Sequence, residues 1–254
     1  MALALTSLPS CRPRSAADNE LLVSAAVSLK DAFNEIAQLA ERQTRLRIKF
    51  NYGASGALQK QIEAGAPTDL FASAGVNQMD ELAVRGLILP DSRKNFARNA
   101  LVLIEPLDGP PISSVADLTK GEVRRIAIGN PRTVPAGQYT VQTFNSLKLL
   151  PAINPKLIYA EDVRQVLDYV MRGEVDAGFV YASDALMVSN RIKTVAETPE
   201  TSHEPIVYPI AIVRESRRPD QARQFVELLL SPEGQNILVK HGFVSVAATG
   251  RGQQ

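Results

Sequence analysis

Residues 46–52 alternate apolar and polar side chains, with Leu46, Ile48, Phe50 and Tyr52 set against Arg47, Lys49 and Asn51. That period of two belongs to a half-buried strand. Four small residues follow, Gly53-Ala54-Ser55-Gly56, and then Leu58 and Ile62 recur at helical spacing with Gly65 as a C-terminal stop. A strand that turns through so short a loop into a helix aims bare backbone N–H groups at whatever the loop encloses. The positive end of the helix dipole points the same way. The stretch therefore predicts a corner built to hold an anion. Ser55 suits the N-cap position, where its hydroxyl either caps the helix or turns toward a ligand.

The same unit recurs along the chain. Residues 21–26 read as a short apolar strand, and Ser28-Leu29-Lys30-Asp31 resembles a capping box with Asp in place of Glu, ahead of a helix carrying Leu29, Phe33, Ile36 and Ala40 on one face. Residues 70–74 form another strand, followed by a helix that stops at Gly86. Residues 125–128 lead into the loop 129–137, where Pro135 fits the first position of a helix. Residues 157–159 lead to Ala160-Glu161-Asp162 and to the most regular helix, in which Val163, Val166, Leu167, Val170 and Met171 share a face and Gly173 ends the run. A strand over 176–181 delivers Tyr181 to its C-terminal end.

Strands alternating with helices predict an α/β fold with mostly parallel sheets. Two long apolar strands, near 100–104 and 207–213, bracket a segment of domain size, and Pro209 in the second suggests an edge or crossover position. A chain that leaves one lobe, builds another and returns makes two crossings and a cleft. The expected division is 20–99 plus 212–247 for the first lobe and 100–211 for the second, with 1–19 a leader remnant or extension and 248–254 a tail. Ligands of such sheets sit beyond the C-terminal ends of the strands, where all these loops lie.

Composition excludes several functions. Lys plus Arg number 28 against 27 Asp plus Glu, a net charge of +1, so no basic field invites nucleic acid. The single cysteine, Cys11, allows no internal disulfide, and His203 and His241 lack ligand-like neighbours. No nucleophile–base pair or metal-ligand cluster stands out, which argues against an enzyme. Asp69, Glu161, Asp162 and Asp184 near the loops read as turn and helix-start residues, and Arg132 as a solvated loop arginine.

The ordered set of loops resembles the bacterial periplasmic molybdate-binding proteins, the receptors of ABC-type molybdate importers. The stretches that carry the resemblance are Ala25-Ala26-Val27-Ser28-Leu29, Tyr52-Gly53-Ala54-Ser55-Gly56, Gly65-Ala66-Pro67-Thr68-Asp69-Leu70-Phe71, Pro135-Ala136-Gly137-Gln138-Tyr139, Glu161-Asp162-Val163 and Gly173-Glu174-Val175-Asp176-Ala177-Gly178-Phe179-Val180-Tyr181. The resemblance implies a two-lobed type II periplasmic-binding fold with the ligand in the interlobe cleft. It also implies capture of molybdate, and of tungstate, by a monomer that partners a membrane permease, with no cofactor. Carried over, the oxyanion ligands are Ser28, Ser55 and Tyr181 through hydroxyls, and Ala136 and Val163 through backbone N–H groups. The alternatives are a sulfate- or phosphate-type receptor of the same fold, or a ligand-sensing regulator, for whose helix-turn-helix residues 1–19 are too few. The backbone assignment has a direct consequence for mutagenesis. Val163→Ala should keep most of the anion affinity, whereas Ala136→Pro, which deletes the donor, should abolish it; titration calorimetry of the two variants checks this.

Overall fold

The computed structural model describes residues 20–246, so the expected leader and tail lie outside the described residues. Strand β1 (Glu20–Ala26) runs parallel to β2 (Arg47–Gly53), paired from Glu20 with Arg47 to Ala26 with Gly53. Helix α1 (Lys30–Thr44) connects them and buries Phe33, Ile36 and Ala40, the face expected from their spacing. Helix α2 (Ser55–Glu63), β3 (Leu70–Ala72), α3 (Val76–Val84) and β4 (Lys94–Arg98) complete the outward path. Gly65, Gly86 and Gly173 each follow a helix with φ of 82°, 69° and 65°, the left-handed stop that glycine adopts without a Cβ penalty.

The chain then crosses to a second sheet. Strand β5 (Leu101–Pro106) is followed by β6 (Ile126–Gly129), α4 (Pro135–Ser146), α5 (Leu150–Ile153), β7 (Leu157–Ala160), α6 (Val163–Met171), β8 (Ala177–Tyr181), α7 (Ala182–Met187) and β9 (Ile192–Glu197). It returns through β10 (Val207–Ile212), α8 (Pro219–Leu230), α9 (Pro232–Lys240) and β11 (Val244–Ser245). The strand orders are β11-β4-β10-β3-β1-β2 and β7-β6-β8-β5-β9.

Two expectations change in detail. The sheets are mixed: β1–β2, β1–β3, β6–β7 and β6–β8 are parallel, but β5, β9, β4 and β10, which carry the chain between lobes, lie in antiparallel pairings. The entering strands β5 and β10 start at the cleft, where the βα strands end, and so run against them, while the leaving strands β4 and β9 pair antiparallel to these and run with the βα strands. By sheet membership β10 belongs to the first lobe, between β3 and β4, so the return crossing falls between Glu197 and Val207 and not at residue 212. Pro209 thus sits in an inner strand and not at an edge, but in the strand that follows the return crossing, the other position expected for it. A register shift between Tyr208 and Pro209 accommodates the missing N–H, and the Pro209 carbonyl accepts from Ser73 N at 2.9 Å.

Close backbone approach fixes α4 on its sheet. A Cβ at Gly137 would lie 1.9 Å from the Gly129 carbonyl oxygen and 2.6 Å from its carbon, both backbone atoms of β6. Only glycine lets the first turn of α4, and with it Ala136, settle so near the strand end. Gly137→Ala should destabilise the fold by at least about 1–3 kcal/mol through overpacking, to be read as a lowered midpoint in urea unfolding.

Candidate functional site

Each expected ligand residue sits where a strand ends. The C-terminal end of β1 runs into a 3-10 turn, Val27–Leu29, that holds Ser28, while Ser55 is the first residue of α2 beyond β2. From the second lobe, β6 leads to Pro135 and Ala136 at the start of α4, β7 leads to Val163 at the start of α6, and β8 ends at Tyr181. Ser28, Ser55, Val163 and Tyr181 line one narrow cavity of about 10 Å³, together with Ala74 and Pro135. That is about the room of one water molecule. Ala136 is buried one residue behind Pro135 and does not itself line the space.

The hydroxyls are arranged differently from the sequence expectation. Ser55 does not cap α2: the N-cap is Ala54, and Ser55 Oγ accepts from Ala74 N at 3.0 Å. The Ser28 capping box does not form either, because Ser28 lies inside the 3-10 turn and its Oγ stands 3.2 Å from the Tyr208 hydroxyl. Both serines are thereby released from helix capping and face the cavity. Tyr181 OH donates to the Ala74 carbonyl at 3.2 Å. All three hydroxyls are buried, and their bonds are long enough to be exchanged for shorter ones to an anion.

The cavity's polarity comes from dipoles. No Lys, Arg, Asp or Glu is among its described lining residues. At α6 the Asp162 carboxylate accepts from Arg164 N at 2.8 Å and Gln165 N at 2.9 Å. The Val163 N–H, ahead of both in the first turn, has no helical carbonyl to meet. Pro135 at the first position of α4 gives no N–H, which leaves the Ala136 amide as that helix's leading donor. Burial pushes the Tyr181 hydroxyl well above its ordinary value, with the nearby ionisable hydroxyls of Tyr208 and Tyr139 adding to the effect, and Tyr208 is raised mainly by burial as well. Both remain protonated donors across the physiological range.

Several residues in this neighbourhood escaped the sequence reading. Tyr208 bonds Ser28, and the Asn99 side chain donates to Ser183 Oγ at 2.8 Å and to the Tyr208 hydroxyl at 3.4 Å. The one hint was a tyrosine inside an otherwise aliphatic run. Asp162 is a helix cap as expected, Glu161 and Arg132 are exposed, and Asp69 accepts from Leu22 N at 2.9 Å. Asp184 departs from the simple helix-start role: it is fully buried and pairs with Arg164 at 2.7 Å. Burial pushes its carboxyl up to about 6 against the pull of the Arg164 charge.

Two α/β lobes joined by two crossings, with strand ends that face each other across an uncharged cavity, have the layout of the type II class of binding proteins. The chain belongs to the family described as bacterial extracellular solute-binding protein, which matches residues 21–244. The molybdate-binding protein ModA of Haemophilus influenzae (strain ATCC 51907 / DSM 11121 / KW20 / Rd) is 37% identical over 235 residues, covering 90% of this chain and 91% of its own length. The Escherichia coli (strain K12) protein of the same name is 34% identical over 233 residues, 89% of each. Among solved structures, the periplasmic molybdate-binding protein of Azotobacter vinelandii aligns with a TM-score of 0.80 at 27% identity, over 88% of this chain and 98% of that one. The sulfate-binding protein SubI from Mycobacterium tuberculosis H37Rv reaches 0.81 at 15% identity, over 91% and 88%, and so shares the fold.

The tyrosine environment can be measured without any ligand. In an alkaline spectrophotometric titration of the native protein, Tyr181 and Tyr208 should ionise later than a solvent-exposed tyrosine would. Tyr181→Phe and Tyr208→Phe should therefore leave the early part of the tyrosinate signal unchanged.

Proposed function

We propose that this protein captures molybdate outside the cytoplasm, in the periplasm, and hands it to the permease of an ABC importer. In this reading it acts as a monomeric carrier with no cofactor and no catalytic step. The observation that carries the reading is the convergence of Ser28, Ser55, Val163 and Tyr181, from both lobes, on a cavity with no charged lining. Similarity to molybdate-binding proteins along nearly the whole chain supports the choice of anion.

Chemistry favours a fully deprotonated tetrahedral oxyanion. Five donors, three hydroxyls and the N–H groups of Ala136 and Val163, would neutralise a dianion by hydrogen bonds and helix dipoles. A buried charge without a salt bridge is tolerable only where several fixed donors meet it. Phosphate near neutral pH carries a proton that needs an acceptor, and the lining supplies no carboxylate. Tungstate has the charge and shape of molybdate and belongs among the ligands. The cavity must widen to admit either, with the lobes separating to load and closing over the anion. Closure is then a population shift toward the state in which both halves of the donor set reach the same ion.

Titration calorimetry with molybdate, tungstate, sulfate and phosphate in competition tests the assignment. Molybdate and tungstate should bind, and sulfate and phosphate should fail to displace them at equal concentration. Ser28→Ala, Ser55→Ala and Tyr181→Phe each remove a bond to a buried charge worth about 1.5–3 kcal/mol. Each should therefore weaken binding roughly ten- to hundredfold. Wild-type affinity in all three folded variants would take the anion away from these residues.

A further inference from the structure

Arg164 follows Val163 on α6, and its guanidinium meets two carboxylates on opposite sides of the cleft. Nε lies 2.7 Å from Asp184 Oδ1, on α7 of the same lobe. Nη2 donates to Asp31 Oδ2 at 2.8 Å, on the first turn of α1 in the other lobe, three residues beyond Ser28. The same Nη2 lies 3.3 Å from Met187 Sδ, again on α7. Asp184 is fully buried, whereas the Arg164 and Asp31 side chains keep 23% and 32% of their exposure. None of the three lines the cavity. A second contact crosses nearby: Gly56 N donates to the Thr133 carbonyl at 2.8 Å, joining α2 to the loop before α4.

We infer that the Arg164–Asp31 pair is a closure latch, in which Asp184 and Met187 hold the guanidinium ready on its own lobe and Asp31 engages it only when the cleft shuts. The latch raises the population of the closed form and slows release of the anion without touching it. As a statement about anion release, this rests on the transport reading above; as a statement about lobe closure, it does not.

The division of partners is what makes the pair effective. An exposed ion pair gains little because two long side chains must be ordered to form it. Here the arginine is already ordered by contacts within one lobe, so closure immobilises only a short aspartate. The pair is also partly shielded from water, where a charge-assisted bond is stronger. Apparent affinity scales with the fraction of molecules in the binding-competent form. Losing the latch therefore weakens binding by the factor lost from that fraction, and the change falls mainly on dissociation. Arg164 is on this view a positioning residue, separate from the five ligand donors.

Asp31 is the place to test it, since changing Arg164 would strand the buried Asp184 charge and endanger folding. Asp31→Asn keeps shape and loses charge, and should speed molybdate release about three- to tenfold with little change in the association rate. Asp31→Lys, which sets like charges together, should speed it more than about tenfold, and Asp31→Glu should restore release to within about threefold of wild type. A merely structural role would lower the melting temperature and leave the release rate alone. The ligand-free arm uses spin labels at Val84→Cys and Tyr159→Cys, exposed positions on the two lobes, with Cys11 replaced by Ser. Its distance distribution should lose closed population in Asp31→Lys. Gly56→Ala, whose Cβ would stand 2.7 Å from the Thr133 Cα and carbonyl oxygen, supplies the reference for a cleft that cannot shut. Unchanged release rates in Asp31→Asn and Asp31→Lys would overturn the latch. If molybdate fails to bind the wild type, the transport reading falls, and the spin-label distances alone decide: an unchanged distribution in Asp31→Lys overturns the latch, and a shift toward the Gly56→Ala distribution supports it.

Discussion

A buried cavity with no charged wall has to draw its polarity from backbone amides and hydroxyls, and the layout of the chain follows from that demand. Backbone N–H groups are free in quantity only at helix starts. To aim several helix starts at one point, the chain places each at the end of a strand and sets two sheets with those ends facing. Ser28, Ser55, Ala136, Val163 and Tyr181 belong to five different strand ends and lie in two lobes. Where the two lobes' backbones come closest, a small residue is needed, because a side chain would stand where the opposing backbone must come. Gly56 shows the limit: even one methyl there would overlap Thr133 across the cleft.

The two crossings between lobes are wired into the same corner. The outward crossing contains Asn99 and Ala100, and the Asn99 side chain bonds both Ser183, in the second lobe, and Tyr208, on the returning strand of the first. Tyr208 in turn bonds Ser28, and its ring packs edge-on against Tyr181 with centroids 5.6 Å apart. A single buried tyrosine thus touches the Ser28 hydroxyl of one lobe, the Tyr181 ring of the other and the crossing residue Asn99. The bulge that admits Pro209 lies at this same residue, so the irregularity of the strand sits beside the site.

Much of the fold was legible because it is local. Helix α6 shows it best: Val163, Val166, Leu167 and Val170 keep helical spacing, the cap Asp162 precedes them, and all four are buried. The strands that went unread are those whose composition hides them. Strand β4 (Lys-Asn-Phe-Ala-Arg) buries only Phe96 and Ala97, and β9 is an edge strand with Lys193 and Thr194 exposed. Without a repeating apolar face, such segments become strands only when a partner supplies the hydrogen bonds. The lobe boundary was misplaced for a related reason. An apolar run such as 206–213 says that a strand is buried, not which sheet buries it.

Within the site the same distinction separates what could be read from what could not. A small-residue turn between a strand and a helix is a property of one short segment, so the corner at Ser55 was legible, whereas Ser28, Ala136, Val163 and Tyr181 were singled out by the family resemblance. The partners of those groups are set by tertiary structure. Ser28 and Tyr208 stand 180 residues apart, and Asp31 and Arg164 stand 133 apart. Asp184 illustrates how a local reading can hold and still be incomplete. It lies in the first turn of α7, as an acid there should. That role needs no burial, yet the residue has none of its surface exposed. Full burial of a carboxylate is costly unless a cation meets it. Arg164 meets it, and an arginine so held has most of its freedom removed before the second lobe arrives. The interaction that ties the lobes together is thus prepared inside one of them, by a residue whose local sequence calls for nothing more than a helix start.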